Sequence, residues 1–275
     1  MADETPVIRS YESAPVIETV LSIQFRPLAK LSVPHFGLYW KLIREQYPRS
    51  ELKPPILHLV EEFGSAQTKA TLPPSWVEFP SESLIRCWFM EEKQNFFLQV
   101  QQDRFLFNWQ KINLTDQYPR YSQIKPIFIQ EWERFCSFLE SENLGIPQVD
   151  QCEVTYVNHI DYPSDQEAYS ELKNIVSYWS GLSSGTFLPQ PEKVNIQVRY
   201  AIPDNSGRLY ISLQPVIRTR DAKEVLQLNV TARGAPNSSK AEDVFEWLDL
   251  GRKWVVEGFT DFTTKQMHKL WGRER

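Results

Sequence analysis

Polar and apolar residues alternate in short blocks along this chain. In residues 15–26, Ile17, Leu21, Ile23 and Phe25 fall on one side and Glu18, Ser22 and Gln24 on the other, the period of two expected of a strand. Residues 33–47 place Phe36, Trp40, Leu42, Ile43 and Tyr47 near helical spacing and end at Pro48, which predicts a helix. Three aromatic and β-branched runs follow, at 83–90, 95–101 and 104–112, the last two separated only by Gln102 and Asp103. Such spacing predicts an antiparallel meander. Phe128, Trp132, Phe135 and Leu139 then form one stripe along residues 122–143, an amphipathic helix with Pro126 near its start.

The pattern then begins again. Residues 151–160 read as a strand, 165–179 as a helix, and 193–201, 207–216 and 224–233 as a second meander, closed by a helix over about 240–260. Local sequence repeats too: Leu98 to Gln101 and Arg104 to Phe107 echo Ile196 to Arg199 and Arg208 to Ile211. The expected fold is α+β, with a polar leader at 1–14 and two similar lobes at 15–145 and 150–275 related by a degenerate internal duplication. Each lobe is a sheet with helices on one face, and joining the two would give a continuous curved sheet of TATA-binding-protein-like or helix-grip-like shape.

The chain has 275 residues, 41% of them hydrophobic and 24% charged, a composition that supports a packed core. Its net charge of −5 provides no global attraction for nucleic acid or anionic membranes. Three widely spaced cysteines, Cys87, Cys136 and Cys152, fit neither a disulfide framework nor a redox motif and point to a reducing compartment. The acidic, polar start and the lack of a long apolar run make the cytoplasm the expected location, away from membranes.

Candidate chemistry is sparse. Four scattered histidines form no metal-binding spacing, and the ten glycines form no phosphate-cradling loop, so no metal or cofactor is expected. His159 and Asp161 share a strand face, where a carboxylate could orient a general base; the competing reading is a strand end capped before Pro163. Gly181 to Gly185 matches the GxSxG string but lacks the strand-then-helix setting of a nucleophile elbow and reads as a linker turn. The acidic pairs Glu61-Glu62, Glu91-Glu92 and Glu242-Asp243 read as solvated surface or as a helix first turn.

The most distinctive feature is a polar sheet face. Alternation aligns Lys193, Asn195, Gln197 and Arg199 with Arg208, Tyr210, Ser212 and Gln214, and with Gln227, Asn229, Thr231 and Arg233; Gln99, Gln101, Asn108 and Gln110 extend the face into the first lobe. Amides and arginines so arranged suit another protein's backbone or a nucleic-acid edge, whereas an ordinary sheet would simply solvate this side. Of the three tryptophans near the end, Trp247, Trp254 and Trp271, a single helical stripe buries only some, which leaves others to meet a partner.

Three segments, Pro15 to Phe25, Tyr156 to Asp161 and Phe259 to Trp271, together resemble a sporadically distributed family of uncharacterised bacterial proteins. The resemblance spans most of the chain and implies a bacterial or phage-associated origin. It supplies no activity. The expected function is that of a non-enzymatic binding or regulatory protein with a protein partner, in a setting such as bacterial or phage defence or toxin neutralisation. The alternatives are a small-molecule binder or hydrolase using a sheet–helix cavity with His159 and Asp161, and a nucleic-acid binder on the polar face; oligomeric state is not legible.

Overall fold

Each run with strand periodicity carries a strand, and the strands join edge to edge. The structure, a computed structural model, describes residues 8–63, 85–162, 168–180, 187 and 191–274. The elements of the first half are β1 (Ser10–Tyr11), β2 (Val16–Phe25), α1 (Val33–Ile43), β3 (Arg49–Lys53), β4 (Arg86–Met90), β5 (Phe96–Gln101), β6 (Arg104–Gln110) and α2 (Tyr121–Ser141). The rest are β7 (Val149–Ile160), α3 (Ala168–Ile175), β8 (Ile196–Ile202), β9 (Gly207–Arg218), β10 (Lys223–Gly234), α4 (Ala241–Phe262), α5 (Lys265–Leu270) and β11 (Arg273–Glu274).

The fold is α+β, and the two sets of strands make one antiparallel sheet in the order β3-β4-β5-β6-β2-β7-β10-β9-β8. The join is the β2–β7 pair, in which Leu21 lies opposite Val154 and Ser22 opposite Glu153. Long α2 and α4 cover one face. Phe105 stacks on Phe135 at 5.1 Å and meets Trp132 at 5.5 Å, while Phe25 lies 5.9 Å from Trp132, so α2 packs on β2 and β6 through aromatic rings. On the other half α4 comes so close to the sheet that a Cβ on Gly251 would stand 3.0 Å from Val154 Cγ2.

Several expectations need correction. The leader contains β1, which pairs with β11 and so ties the two ends of the described chain together. Strand β3 went unrecognised because all but one of its residues are exposed, leaving no alternation to read. Helix α2 begins at Tyr121, so Pro126 sits inside it and leaves the Ser122 carbonyl without its usual i+4 amide. The predicted helix at 165–179 is shorter, Ala168–Ile175, with residues 165–167 outside the described part. Trp247 and Trp271 are buried: Trp247 donates to the Ser206 carbonyl at 2.9 Å, and α5 and β1 close over the end of α4, where Tyr11 packs edge-on against Trp271 at 6.1 Å and Phe259 at 5.5 Å. Among the described residues no helix is long and apolar enough to cross a membrane.

Candidate functional site

The face of the sheet opposite the helices carries the polar residues. Alternation directs Leu226, Leu228, Val230 and Ala232 of β10 into the helix-covered core, which turns Gln227, Asn229, Thr231 and Arg233 the other way. Pairing then lines them up across strands. Gln227 is flanked by Gln214 and His159, Asn229 by Ser212 and Val157, Thr231 by Tyr210 and Thr155, and Arg233 by Arg208 and Glu153. Gln197 and Arg199 of β8 extend the face beside Ser212 and Tyr210, and Lys193 precedes the strand, exposed. The binding-face residues expected from sequence are thus gathered on one side.

In the first half the same face is not solvated. Gln24, Gln99, Gln101, Arg104, Asn108 and Gln151 are all buried. Gln101, Arg104, Gln24 and Gln151 form a single row across β5, β6, β2 and β7. Across this row, from strand to strand, runs the extended segment 56–62. Gln101 grips Ile56 twice: its Oε1 accepts the Ile56 amide and its Nε2 donates to the Ile56 carbonyl, each at 2.9 Å. Arg104 donates to the Leu57 carbonyl at 3.1 Å. Gln24 and Gln151 both donate to the Leu59 carbonyl, at 2.9 and 2.7 Å, and Gln151 Oε1 accepts the Glu61 amide at 2.9 Å.

Side chains therefore hold the backbone of this segment, a mode that satisfies buried amides without reading the segment's own side chains. Two side chains anchor it as well. His58 Nδ1 lies 2.8 Å from Asp103 Oδ2. The Glu61 carboxylate bonds Arg208, receives the Tyr210 hydroxyl at 2.6 Å and lies 3.7 Å from Arg233. Glu61, expected as solvated surface, is instead the acidic plug of an arginine pair. Its neighbour Glu62 fits that expectation better, being exposed, although its carbonyl accepts from Arg208 at 2.6 Å.

Beyond Glu61, Gln197, Arg199 and Gln214 are exposed, and Ser212, Gln227, Asn229 and Thr231 are half-buried. Two buried polar atoms here, Asn229 Oδ1 and His159 Nδ1, have no partner among the described residues. Arg233 is engaged by Glu153 at 2.7 Å, while Lys193 and Arg199 make no ion pair among the described residues.

His159 and Asp161 do share this face, but their bonds lead apart. His159 Nε2 lies 3.3 Å from Gln227 Oε1. Asp161 accepts from both terminal nitrogens of Arg218 at 3.1 Å and pairs with Lys223 at 3.2 Å. Burial works to raise the Asp161 pKa, and the bonds from Arg218 and Lys223 outweigh it and hold it low, so the carboxylate is committed to its cations. The GxSxG stretch, Gly181 to Gly185, lies outside the described residues.

Burial depresses the pKa of His159 and of His268, whose Nε2 lies 3.0 Å from Thr263 Oγ1 in the core. Both rings stay neutral in the folded chain at a pH where the unfolded imidazoles, titrating near about 6.5, already bind protons. The unfolded state then binds more protons, so these rings make stability fall as pH drops below about 6.5, and the loss ends below their folded pKa values. Glu18 and Glu131, raised by burial, act in the opposite sense at lower pH, so the useful quantity is a difference. Between pH 7 and 5 the melting temperature of the native protein is expected to drop more steeply than that of His268→Gln; equal slopes would show that His268 carries no such linkage.

Sequence reasoning missed the 56–62 segment because Pro54 and Pro55 interrupt the pattern and its apolar side chains face outward: Leu57, Leu59 and Val60 are 55%, 54% and 49% exposed. The proline pair was the available signal, since it forces an extended entry. Among known proteins, no family model, no curated protein and no solved structure matches the chain.

Proposed function

We propose that this is a non-enzymatic binding protein whose polar sheet face receives an extended segment of a protein partner. The observation that carries the proposal is the 56–62 segment itself, an extended peptide held across the sheet by Gln101, Arg104, Gln24 and Gln151 through its backbone. The second half offers the same chemistry in Gln197, Gln214, Gln227 and Asn229. Arg199 and Lys193, without carboxylate partners among the described residues, favour a segment with an acidic side chain, as Glu61 serves Arg208. Leu57, Leu59 and Val60 provide an exposed apolar edge along which such a segment would lie. The commitment of Asp161 to Arg218 and Lys223 supports binding over general-base catalysis on this face.

A place in bacterial defence or toxin neutralisation belongs to the same proposal and rests only on the resemblance of Pro15 to Phe25, Tyr156 to Asp161 and Phe259 to Trp271 to a sporadic bacterial family. The test is selection from a displayed library of random peptides, with affinities read by fluorescence anisotropy. Acidic peptides are expected to be enriched, and Arg199→Glu combined with Gln227→Ala is expected to weaken them at least about tenfold, or about 1.4 kcal/mol. Selected peptides that bind the double variant as tightly as the native protein would overturn the reading.

A further inference from the structure

On the helix-covered side, the middle of the sheet holds a cavity of about 340 Å³ between the start of α2, the middle of α4 and strand β1. Its floor lies where β2 meets β7, next to a bulge between Val16 and Glu18, and bulges commonly re-aim side chains beside sites. The volume falls in the range of small-ligand sites. Its walls divide into an apolar part and a cationic part.

Val16, Val255 and Phe259 form the apolar wall. Arg120 and Arg252 also line the cavity, and neither has a carboxylate partner among the described residues. Arg252 lies over the Tyr121 ring at 5.1 Å, and its buried Nε meets no acceptor. Arg9, the third arginine of the lining, is by contrast neutralised by Glu257 at 2.7 Å and Asp261 at 3.3 Å. Arg120 is also the residue before α2, whose start has no side-chain cap and whose first bonds come from the Gln123 and Ile124 amides to the Arg120 carbonyl. The amides of Tyr121 and Ser122 precede those bonds, at the positive end of a 21-residue helix.

A buried polar group independent of the helix end also points to a ligand. Asn158 is only 1% exposed and lines the cavity. Its Nδ2 donates to the backbone carbonyls of Leu228 at 3.0 Å and Tyr156 at 3.5 Å, while its Oδ1 has no donor among the described residues. Asn158 borders the cavity, so a molecule bound there can supply that donor. Beside it the Tyr156 hydroxyl accepts from Tyr118 at 2.9 Å.

We infer that this cavity binds a small organic anion of nucleoside-monophosphate type, with its phosphate between Arg120, Arg252 and the first amides of α2, its flat ring against Phe259 and Val255, and a ring N–H on Asn158 Oδ1. The site lies on the opposite face of the sheet from the peptide surface proposed above and does not depend on it. Bidentate guanidinium contacts suit a phosphate, and a planar ring with a donor edge matches the Asn158 side-chain oxygen.

The test is isothermal titration of the full chain with the four common nucleoside monophosphates, with adenosine and inorganic phosphate as controls. At least one monophosphate is expected to bind more tightly than about 1 mM and at least tenfold more tightly than either control. Arg252→Ala and Arg120→Ala are each expected to weaken it about tenfold or more, and Asn158→Leu to lower the preference among bases; circular dichroism establishes that each variant is folded. The inference is overturned if no monophosphate binds below about 1 mM, if phosphate or adenosine binds equally well, or if folded Arg120→Ala retains full affinity.

Discussion

Phe135→Ala is expected to lower the unfolding free energy by about 3–5 kcal/mol, the range for large-to-small changes at a packed aromatic. Phe135 has no exposed surface, and four rings surround it: Phe105 at 5.1 Å, Tyr39 at 5.4 Å, Trp132 at 6.0 Å and Phe25 at 6.3 Å. These rings come from α1, α2, β2 and β6, so the void would touch every layer of the first half, and ring frameworks collapse poorly around a lost neighbour. Chemical denaturation would measure the change, with a reduced midpoint and an unchanged slope if the native fold persists. A loss below about 1 kcal/mol would mean that the aromatic cluster repacks freely. Leu38, on the same half but 45% exposed in α1, is the matched control, for which Leu38→Ala should cost little.

Much of that core was legible. The stripe Phe128, Trp132, Phe135 and Leu139 identified α2, and alternation in β6 and β10 separated core from polar residues, because both signals report which side of an element loses water. In β2 it held for Leu21, Ile23 and Phe25 but not for Ile17, because the bulge between Val16 and Glu18 shifts the phase and puts Val16 in the core instead. Alternation also gathered Gln197, Arg208, Tyr210, Gln227 and Arg233 on one face. It could not show that the first-half continuation of that face, Gln99, Gln101 and Asn108, is buried, because Gln101 is held under the 56–62 segment, far away in sequence, and Gln99 and Asn108 are engaged by Arg86, by each other and by Glu18. Period-two patterning gives a side chain's direction, and says nothing of what lies above it. The same limit hid the cavity at Asn158: a polar residue at a core-facing position of β7 stood out from Val154 and Ile160 only once its unpaired oxygen was seen.

Glu61→Ala tests whether the segment across the sheet is held by its backbone alone. The carboxylate is 8% exposed and takes bonds from Arg208 and Tyr210, with Arg233 at 3.7 Å; its loss strands Arg208 and a phenol, while Arg233 keeps Glu153 at 2.7 Å. Breaking a fully buried pair costs about 3–5 kcal/mol, and because the arginine side chains are 20% and 22% exposed, water can recover part of this. A loss of about 2–3 kcal/mol is expected here. The effect should be local: residues 56–62 pack few side chains, so Glu61→Ala should expose the segment to limited proteolysis near Leu57 and Leu59 before the sheet unfolds. Glu61→Gln, which can still accept from Tyr210, should fall between. If protease sensitivity is unchanged in Glu61→Ala, the backbone bonds to Gln101, Gln24 and Gln151 suffice, and the arginine pair is free to serve a partner's carboxylate without releasing the segment.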